Sequence, residues 1–198
     1  MIIYLVGISC VGKTTIGEIL AREIGFKFFD LDQEVENYYN KAIERLQIES
    51  FAMNGFRKKA SIVLDNLFDK NSNAVISGTP SGLKYSYWQV YKKHIKDKAL
   101  YSVHLHDSFD NILKRLTFYD IDSNPINIEL DSSKQKFYLR SLREDYNFFK
   151  DSYKRADFKI DISGIPLKSI PKEIINEMTN LQFNKQSVAI EISPAQND

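Results

Sequence analysis

The sequence predicts an α/β fold in which short buried strands alternate with amphipathic helices. Two observations carry that prediction. Five apolar runs, at residues 2–6, 26–29, 73–77, 100–105 and 158–162, have strand length, and helical periodicity fills most of the intervals between them. The first run leads straight into Gly7-Ile8-Ser9-Cys10-Val11-Gly12-Lys13-Thr14, which matches G-x-x-x-x-G-K-[ST] at every fixed position.

This motif stands between a strand and a helix, as its chemistry requires. Ile16, Ile19, Leu20 and Ile24 follow at near-helical spacing. Gly7 and Gly12 allow backbone conformations that a Cβ would forbid, so successive N–H groups can turn inward around a phosphate chain at the positive end of a helix. Lys13 is then expected to reach the β- and γ-phosphates, and the Thr14 hydroxyl to sit on Mg²⁺. Cys10 is the single cysteine of the chain. An internal disulfide is therefore excluded, and within the loop Cys10 reads as a small filler rather than a reactive thiol.

Composition bounds the remaining possibilities. A chain of 198 residues with 43% hydrophobic and 27% charged residues is expected to form one globular domain over residues 1–198. A formal charge of +1 leaves no footprint for nucleic acid or an anionic membrane. The first residues lack the cationic start of a signal peptide, and no apolar run approaches the ~20 residues that span a bilayer. The protein is expected in the cytoplasm, as a monomer.

The second strand ends at Asp30-Leu31-Asp32, ahead of a helix marked by Val35, Tyr38, Tyr39, Ala42, Ile43 and Leu46. Ligands in open α/β sheets bind outside the carboxyl ends of the strands, so both acids face the same crevice as the phosphate loop. They could hold a metal-bound water and a substrate hydroxyl, and Asp32 could also cap the helix that follows. Residues 44–70 read as helical with a break near Asn54-Gly55, and Phe56-Arg57 opens the next helix. Arg57 taken alone reads as a surface cation. The third strand ends in a small-residue loop, Gly78-Thr79-Pro80-Ser81-Gly82.

A helix is expected over 83–95, with Trp88 and Val90 as packing residues. Ser108 caps a helix after the fourth strand, and His104 and His106 on that strand read as structural. Residues 117–133 lack helical periodicity, contain Asn124-Pro125 and are long enough for a lid. A long helix then covers 134–153, and a final helix about 168–181. The tail beyond residue 181 is polar around a short VAIEI run and has no assigned role.

The order of phosphate loop, Asp-Leu-Asp, Phe-Arg, small-residue loop and lid resembles shikimate kinase, within the nucleoside monophosphate kinase-like group. The resemblance runs over about residues 1–180, with GKTTIGEILAREIGFKFFDLD and LYSVHLHDSFDNILKRL as its most similar stretches. It implies a three-layer P-loop kinase fold, a five-stranded parallel sheet flanked by helices, with a substrate-binding segment at about 31–62 and a lid at about 117–133. It also implies ATP and Mg²⁺ as cofactors and a small-molecule acceptor, shikimate, whose hydroxyl takes the γ-phosphoryl group.

Carried over residue by residue, the resemblance gives Gly7, Cys10, Val11, Gly12, Lys13, Thr14 and Thr15 to the nucleotide, with Arg115 packing on adenine. Thr14 and Asp30 fall at the metal, while Lys13 and Asp32 carry the catalysis. Asp32 also receives the substrate hydroxyl. Arg57, Gly78, Thr79 and Arg143 fall at the acceptor, where Arg57 offers a planar fork to a carboxylate.

The departures concentrate in the acceptor half and the lid. Thr79-Pro80-Ser81 stand where the family has glycines, Met53 and Ala60 stand near the places of two acids, and Asn124 precedes Pro125 where the family has an arginine. Lys134, Lys136 or Arg140 could replace that arginine, and Arg140 competes with Arg143 as the second carboxylate-binding cation. A kinase for another hydroxylated acceptor, such as a sugar acid or nucleotide, therefore remains an alternative. So does a nucleotide-binding regulatory module without transfer, although the retained Asp30 and Asp32 favour an enzyme.

Overall fold

The computed structural model describes residues 1–50 and 53–191, with side chains through residue 181. Its centre is β1 (Ile2–Val6), which pairs in parallel with β3 (Ala74–Ser77) on one side and β4 (Leu100–His106) on the other. β2 (Lys27–Asp30) lies outside β3, and β7 (Phe158–Asp161) outside β4, so the order is β2-β3-β1-β4-β7. All five residues of β1 are buried. Such burial requires cover on both faces of the sheet, which is why the strand reads as a continuous apolar run and not as an alternation. The expected α/β architecture, a parallel five-stranded sheet flanked by helices, is what the chain adopts.

The cover comes from α1 (Lys13–Ile24), α2 (Leu31–Tyr39), α3 (Ile43–Glu49), α4 (Met53–Lys70), α5 (Ser86–His94), α6 (Phe109–Leu113), α7 (Ser132–Tyr153) and α8 (Ile170–Glu191). Tyr4, Leu20, Leu64, Phe68, Tyr87 and Ile174 are buried and belong to one hydrophobic cluster. Trp88 and Val90 pack against it, as expected. Two short strands, β5 (Phe118–Tyr119) and β6 (Pro125–Ile126), pair antiparallel apart from the main sheet. The 117–133 segment therefore contains a small hairpin over residues 118–126, and its last two residues already belong to α7.

Several boundaries differ from expectation. α5 starts at Ser86 rather than residue 83, and α8 runs on to Glu191 rather than stopping near residue 181. The VAIEI run thus begins on the last turn of α8, and residues 192–198 lie outside the described residues. The expected break near Asn54-Gly55 falls just before it: α3 ends at Glu49 and α4 begins at Met53, so Asn54-Gly55 lies in the first turn of α4. Gly55 is there for close approach: a Cβ on it would meet the Ser50 carbonyl oxygen at 2.6 Å.

Gly55→Ala sets two effects against each other. Ala gains about 1 kcal/mol of helix propensity over Gly. Forcing a methyl against a backbone carbonyl costs ~1–3 kcal/mol, and the backbone has nowhere to yield cheaply. A net loss is expected, lowering the melting midpoint by ~2–4 °C for each kcal/mol. A higher midpoint in a thermal melt would show that propensity prevails.

Candidate active site

The loop after β1 reaches conformations that its sequence anticipates. Gly7 and Gly12 have φ of 150° and 107°, and Cys10 takes φ 59°. A Cβ on Gly7 would lie 2.6 Å from the Leu105 carbonyl oxygen, so the loop is pressed against β4 at a point where only glycine fits. Lys13, the first residue of α1, folds back over the loop, and its Nζ donates to the Gly7 and Ile8 carbonyls at 2.9 Å each. Burial lowers its pKa, while the nearby Asp32 and Asp30 charges act in the opposite direction. Val11 is buried in the core, so it can offer only backbone to a ligand, whereas Thr14 and Thr15 are exposed at the start of α1.

Arg115 lies next to this loop. Its Nε donates to the Cys10 carbonyl at 3.2 Å and its Nη2 to Asp107 at 2.5 Å. Asp107 is buried, yet its pKa is lowered: burial pushes it up, and bonds from Asn111, Arg115, the Ser108 amide and Ser163 outweigh that push. The guanidinium is thereby held at the loop's outer edge.

Sheet register assembles the next group. β2 and β3 pair Asp30 with Ser77, and β3 and β1 pair Ser77 with Leu5, so three strands end level with one another. The Thr14 hydroxyl donates to Asp30 Oδ2 at 2.6 Å and lies 3.4 Å from Ser77 Oγ. Ser77 was not among the expected site residues. Its position at a strand's carboxyl end was the available signal, but an isolated serine after three apolar residues says little.

The two acids differ in role. Asp30, not Asp32, caps α2, accepting from the Asp32 amide at 3.0 Å and the Gln33 amide at 3.5 Å. Capping by Asp32 is thus corrected: it sits one residue inside the helix, where its own side chain cannot reach the orphan amides. Its carboxyl group is enclosed by protein although the residue as a whole is partly exposed. Burial first, and then the Asp30 charge, raise its pKa to about 7, against the opposing pull of Lys13. A carboxyl poised there can accept a proton near neutral pH.

Arg57 is buried, at 7% exposure, and is no surface cation. Its Nε donates to Ser81 Oγ at 3.0 Å and its Nη1 to Asn54 Oδ1 at 3.2 Å. No carboxylate pairs with it among the described residues, and its Nη2 has no protein partner there. The guanidinium lies 5.2 Å from the Tyr85 ring centre and 5.9 Å from that of Phe149. A Cβ on Gly78 would meet the Tyr4 ring at 2.7 Å, so this loop also needs its glycine. Thr79 and Tyr87 are buried, and neither hydroxyl makes a well-formed hydrogen bond. Burial raises the pKa of the Tyr87 phenol, while its Thr79 neighbour lowers it and the charges of Asp32 and Arg57 act in opposite directions.

Arg143 is exposed on α7, its guanidinium 5.9 Å from the Phe109 ring centre, and shares no partner with Arg57. Arg140 is bound to Glu144 at 2.8 Å, and Lys134 Nζ donates to the Glu129 carbonyl at 3.1 Å. Lys136 is exposed nearby. Asn124 bonds to Asp120 within the hairpin. The hairpin tip rests on α2 and α3: Arg45 pairs with Asp122 at 2.6 Å, and the Ser123 hydroxyl lies between the carboxylates of Glu36 and Glu44. His104 stacks on Tyr153 with ring centres 4.6 Å apart, and burial lowers its pKa to about 4. His106 pairs with Asp161 at 3.2 Å. Both histidines have structural partners, in keeping with their expected role.

Comparison with known proteins gives one answer. The family model described as "Shikimate kinase" matches residues 9–179. The shikimate kinase of Aquifex aeolicus is 30% identical over 178 residues, which is 88% of this chain and 94% of that protein. Its crystal structure superposes with a TM-score of 0.67 at 27% identity, covering 92% of this chain and 98% of the other. The pentafunctional AROM polypeptide of Schizosaccharomyces japonicus is 31% identical over 141 residues, 70% of this chain. Shikimate kinase 3 of Oryza sativa is 30% identical over 169 residues, 84% of this chain. The chain spans 8% and 56% of the lengths of those last two proteins.

The raised pKa of Asp32 makes a stability prediction. Between the ordinary carboxylate value and about 7, the folded protein holds more protons than the unfolded chain, so this group makes stability fall as pH rises through that window. Asp32→Asn removes the charge that must be buried above pH 7. Its melting midpoint at pH 8 is expected to exceed that of the unaltered protein by ~2–4 °C or more, with little difference at pH 5. An equal or lower midpoint at pH 8 would contradict the assignment.

Proposed function

The chain belongs to the shikimate kinase family, and from that premise we propose that it transfers the terminal phosphoryl group of ATP to a ring hydroxyl of shikimate. The observations that carry this reading are a buried Arg57 with no carboxylate partner among the described residues and an Asp32 carboxyl whose pKa is raised to about 7. A guanidinium without an internal anion suits an acceptor that brings its own carboxylate. The Asp32 carboxyl suits an acceptor that must lose a hydroxyl proton.

In this mechanism the residues position and hold charge. The backbone of residues 7–14 cradles the phosphate chain, and Lys13 offers an ammonium held at the loop by the Gly7 and Ile8 carbonyls. Arg115, fixed between Cys10 and Asp107, provides the platform for adenine. Thr14, Asp30 and Ser77 present a hydroxyl, a carboxylate and a second hydroxyl within hydrogen-bond distance of Thr14, an all-oxygen donor set that fits Mg²⁺. When bound, Mg²⁺ supplies charge neutralisation at the terminal phosphates. Asp32 orients the acceptor hydroxyl and takes its proton as the oxygen attacks the γ-phosphorus, whose bond to the β–γ bridging oxygen breaks to release ADP.

The hairpin at 117–133 serves as the lid over the nucleotide and limits hydrolysis by water. Its missing arginine leaves Lys134, Lys136 and Arg140 as the cations on the adjoining helix. The 31–62 segment holds the acceptor, and residues 1–198 act as one domain. We place the protein in the cytoplasm, supported by its single cysteine. No helix among the described residues is long and apolar enough to cross a membrane.

ADP release from MgATP is expected to rise strongly with shikimate, and to fall at least ~10²-fold in Asp32→Asn, the scale of a lost general base. The acceptor kcat/KM is expected to climb through an acidic limb near pH 7, where the Asp32 carboxyl ionises. Nucleotide binding without stimulation by shikimate would sink the acceptor assignment and leave the nucleotide half standing.

A further inference from the structure

The acceptor wall holds a second cation that neither family motif nor sequence spacing picks out. Lys84 lies in the loop between Gly82 and α5. Its Nζ is 5.1 Å from the Tyr85 ring centre and 5.6 Å from that of Phe149, the same two rings that flank Arg57. It also sits 3.5 Å from the Phe148 ring centre and donates to the Phe148 carbonyl at 2.8 Å. Two cations therefore share one aromatic wall.

Neither cation has a carboxylate partner among the described residues. Asp151 is close enough to feel the charge of Lys84, but it is held by Lys154 at 2.8 Å. Both cations therefore have π-faces, neutral groups and carbonyls for company, and an anion within reach of both would gain from each charge.

The backbone holds this arrangement under strain. Tyr85 has φ 53° and ψ −125°, a conformation that residues with a Cβ rarely adopt. The loop is fastened on both sides: Arg155 Nη1 donates to the Leu83 carbonyl at 3.0 Å, and the Ser86 hydroxyl donates to the Arg57 carbonyl at 3.1 Å. Strain kept in place by such ties fits a site whose side chains must stand where a ligand needs them.

We infer that Lys84 and Arg57 together cradle the carboxylate of the acceptor, with Lys84 taking the part expected of Arg143. The inference rests on the acceptor reading above and adds to it the second binding cation. An ammonium is a point charge and not a fork, so Lys84 supplies attraction while Arg57 sets the orientation.

Calorimetric titration of the full chain with shikimate and with its methyl ester, alongside turnover, tests this. Lys84→Met keeps the apolar stem and removes the charge; it is expected to weaken binding of shikimate about tenfold, close to 1.4 kcal/mol, and to leave the ester unchanged. Lys84→Arg is expected to retain most of the affinity, and the KM for shikimate in Lys84→Met should rise with kcat nearly constant. Unaltered shikimate binding by Lys84→Met overturns the inference while turnover by the unaltered protein upholds the kinase reading. Equal losses for acid and ester also overturn it, by showing that Lys84 acts only through its tie to Phe148. If the unaltered protein neither binds nor phosphorylates shikimate, the acceptor reading fails and the inference falls with it.

Discussion

Three strands that end at one level are the constraint on which the rest of this structure depends. Leu5, Ser77 and Asp30 are neighbours across β1, β3 and β2. Because parallel pairing repeats along each strand, that one register sets where every following loop begins. The phosphate loop leaves β1, the Gly78 loop leaves β3, and the Asp30 cap leaves β2, all toward the same crevice. The Gly78 amide donates to the Leu5 carbonyl at 2.9 Å, which extends the ladder into the loop itself. A slip by one residue would turn Asp30 and Ser77 away from Thr14 together.

Around that crevice the ordinary rules of a protein interior are relaxed. Elsewhere among the described residues, buried side-chain polar groups find partners; Asp107 has four hydrogen-bonding neighbours that hold its charge. Near the strand ends, Arg57 has no carboxylate partner among the described residues, Asp32 resists ionising, and the hydroxyls of Thr79 and Tyr87 make no well-formed hydrogen bond. Each such group costs stability when buried alone. The surrounding core of packed aliphatic and aromatic side chains can carry that cost, so the site remains formed with its bonding capacity directed at a ligand.

The 118–126 hairpin is linked directly to α2 and α3. Asp122 and Ser123 at the hairpin tip meet Arg45, Glu36 and Glu44 on α2 and α3. The Arg45–Asp122 pair is exposed, and pairs of that kind contribute ~0–1 kcal/mol. A contact this weak can hold a short hairpin in one place and still release it, which is the property a lid over a nucleotide requires.

The sequence by itself determined the α/β class, the strand and helix order, the phosphate loop and the identity of Lys13, Thr14, Asp30 and Asp32 as candidates. Those features are local: they follow from the short-range spacing of apolar residues and from glycines whose backbone conformation the motif demands. What only the tertiary structure decided involves partners far apart in the chain. Gly55 sits within α4, where a Cβ would meet the Ser50 carbonyl. Asp30 became the cap of α2, and Asp32 became a carboxyl with a raised pKa, because one faces the orphan amides and the other is enclosed. Ser77 came within reach of Thr14 through the β2–β3 register, Lys84 came against the rings of Tyr85 and Phe149, and Arg57 turned out buried. Burial and charge neighbourhood depend on how elements pack, and a linear pattern does not contain that information.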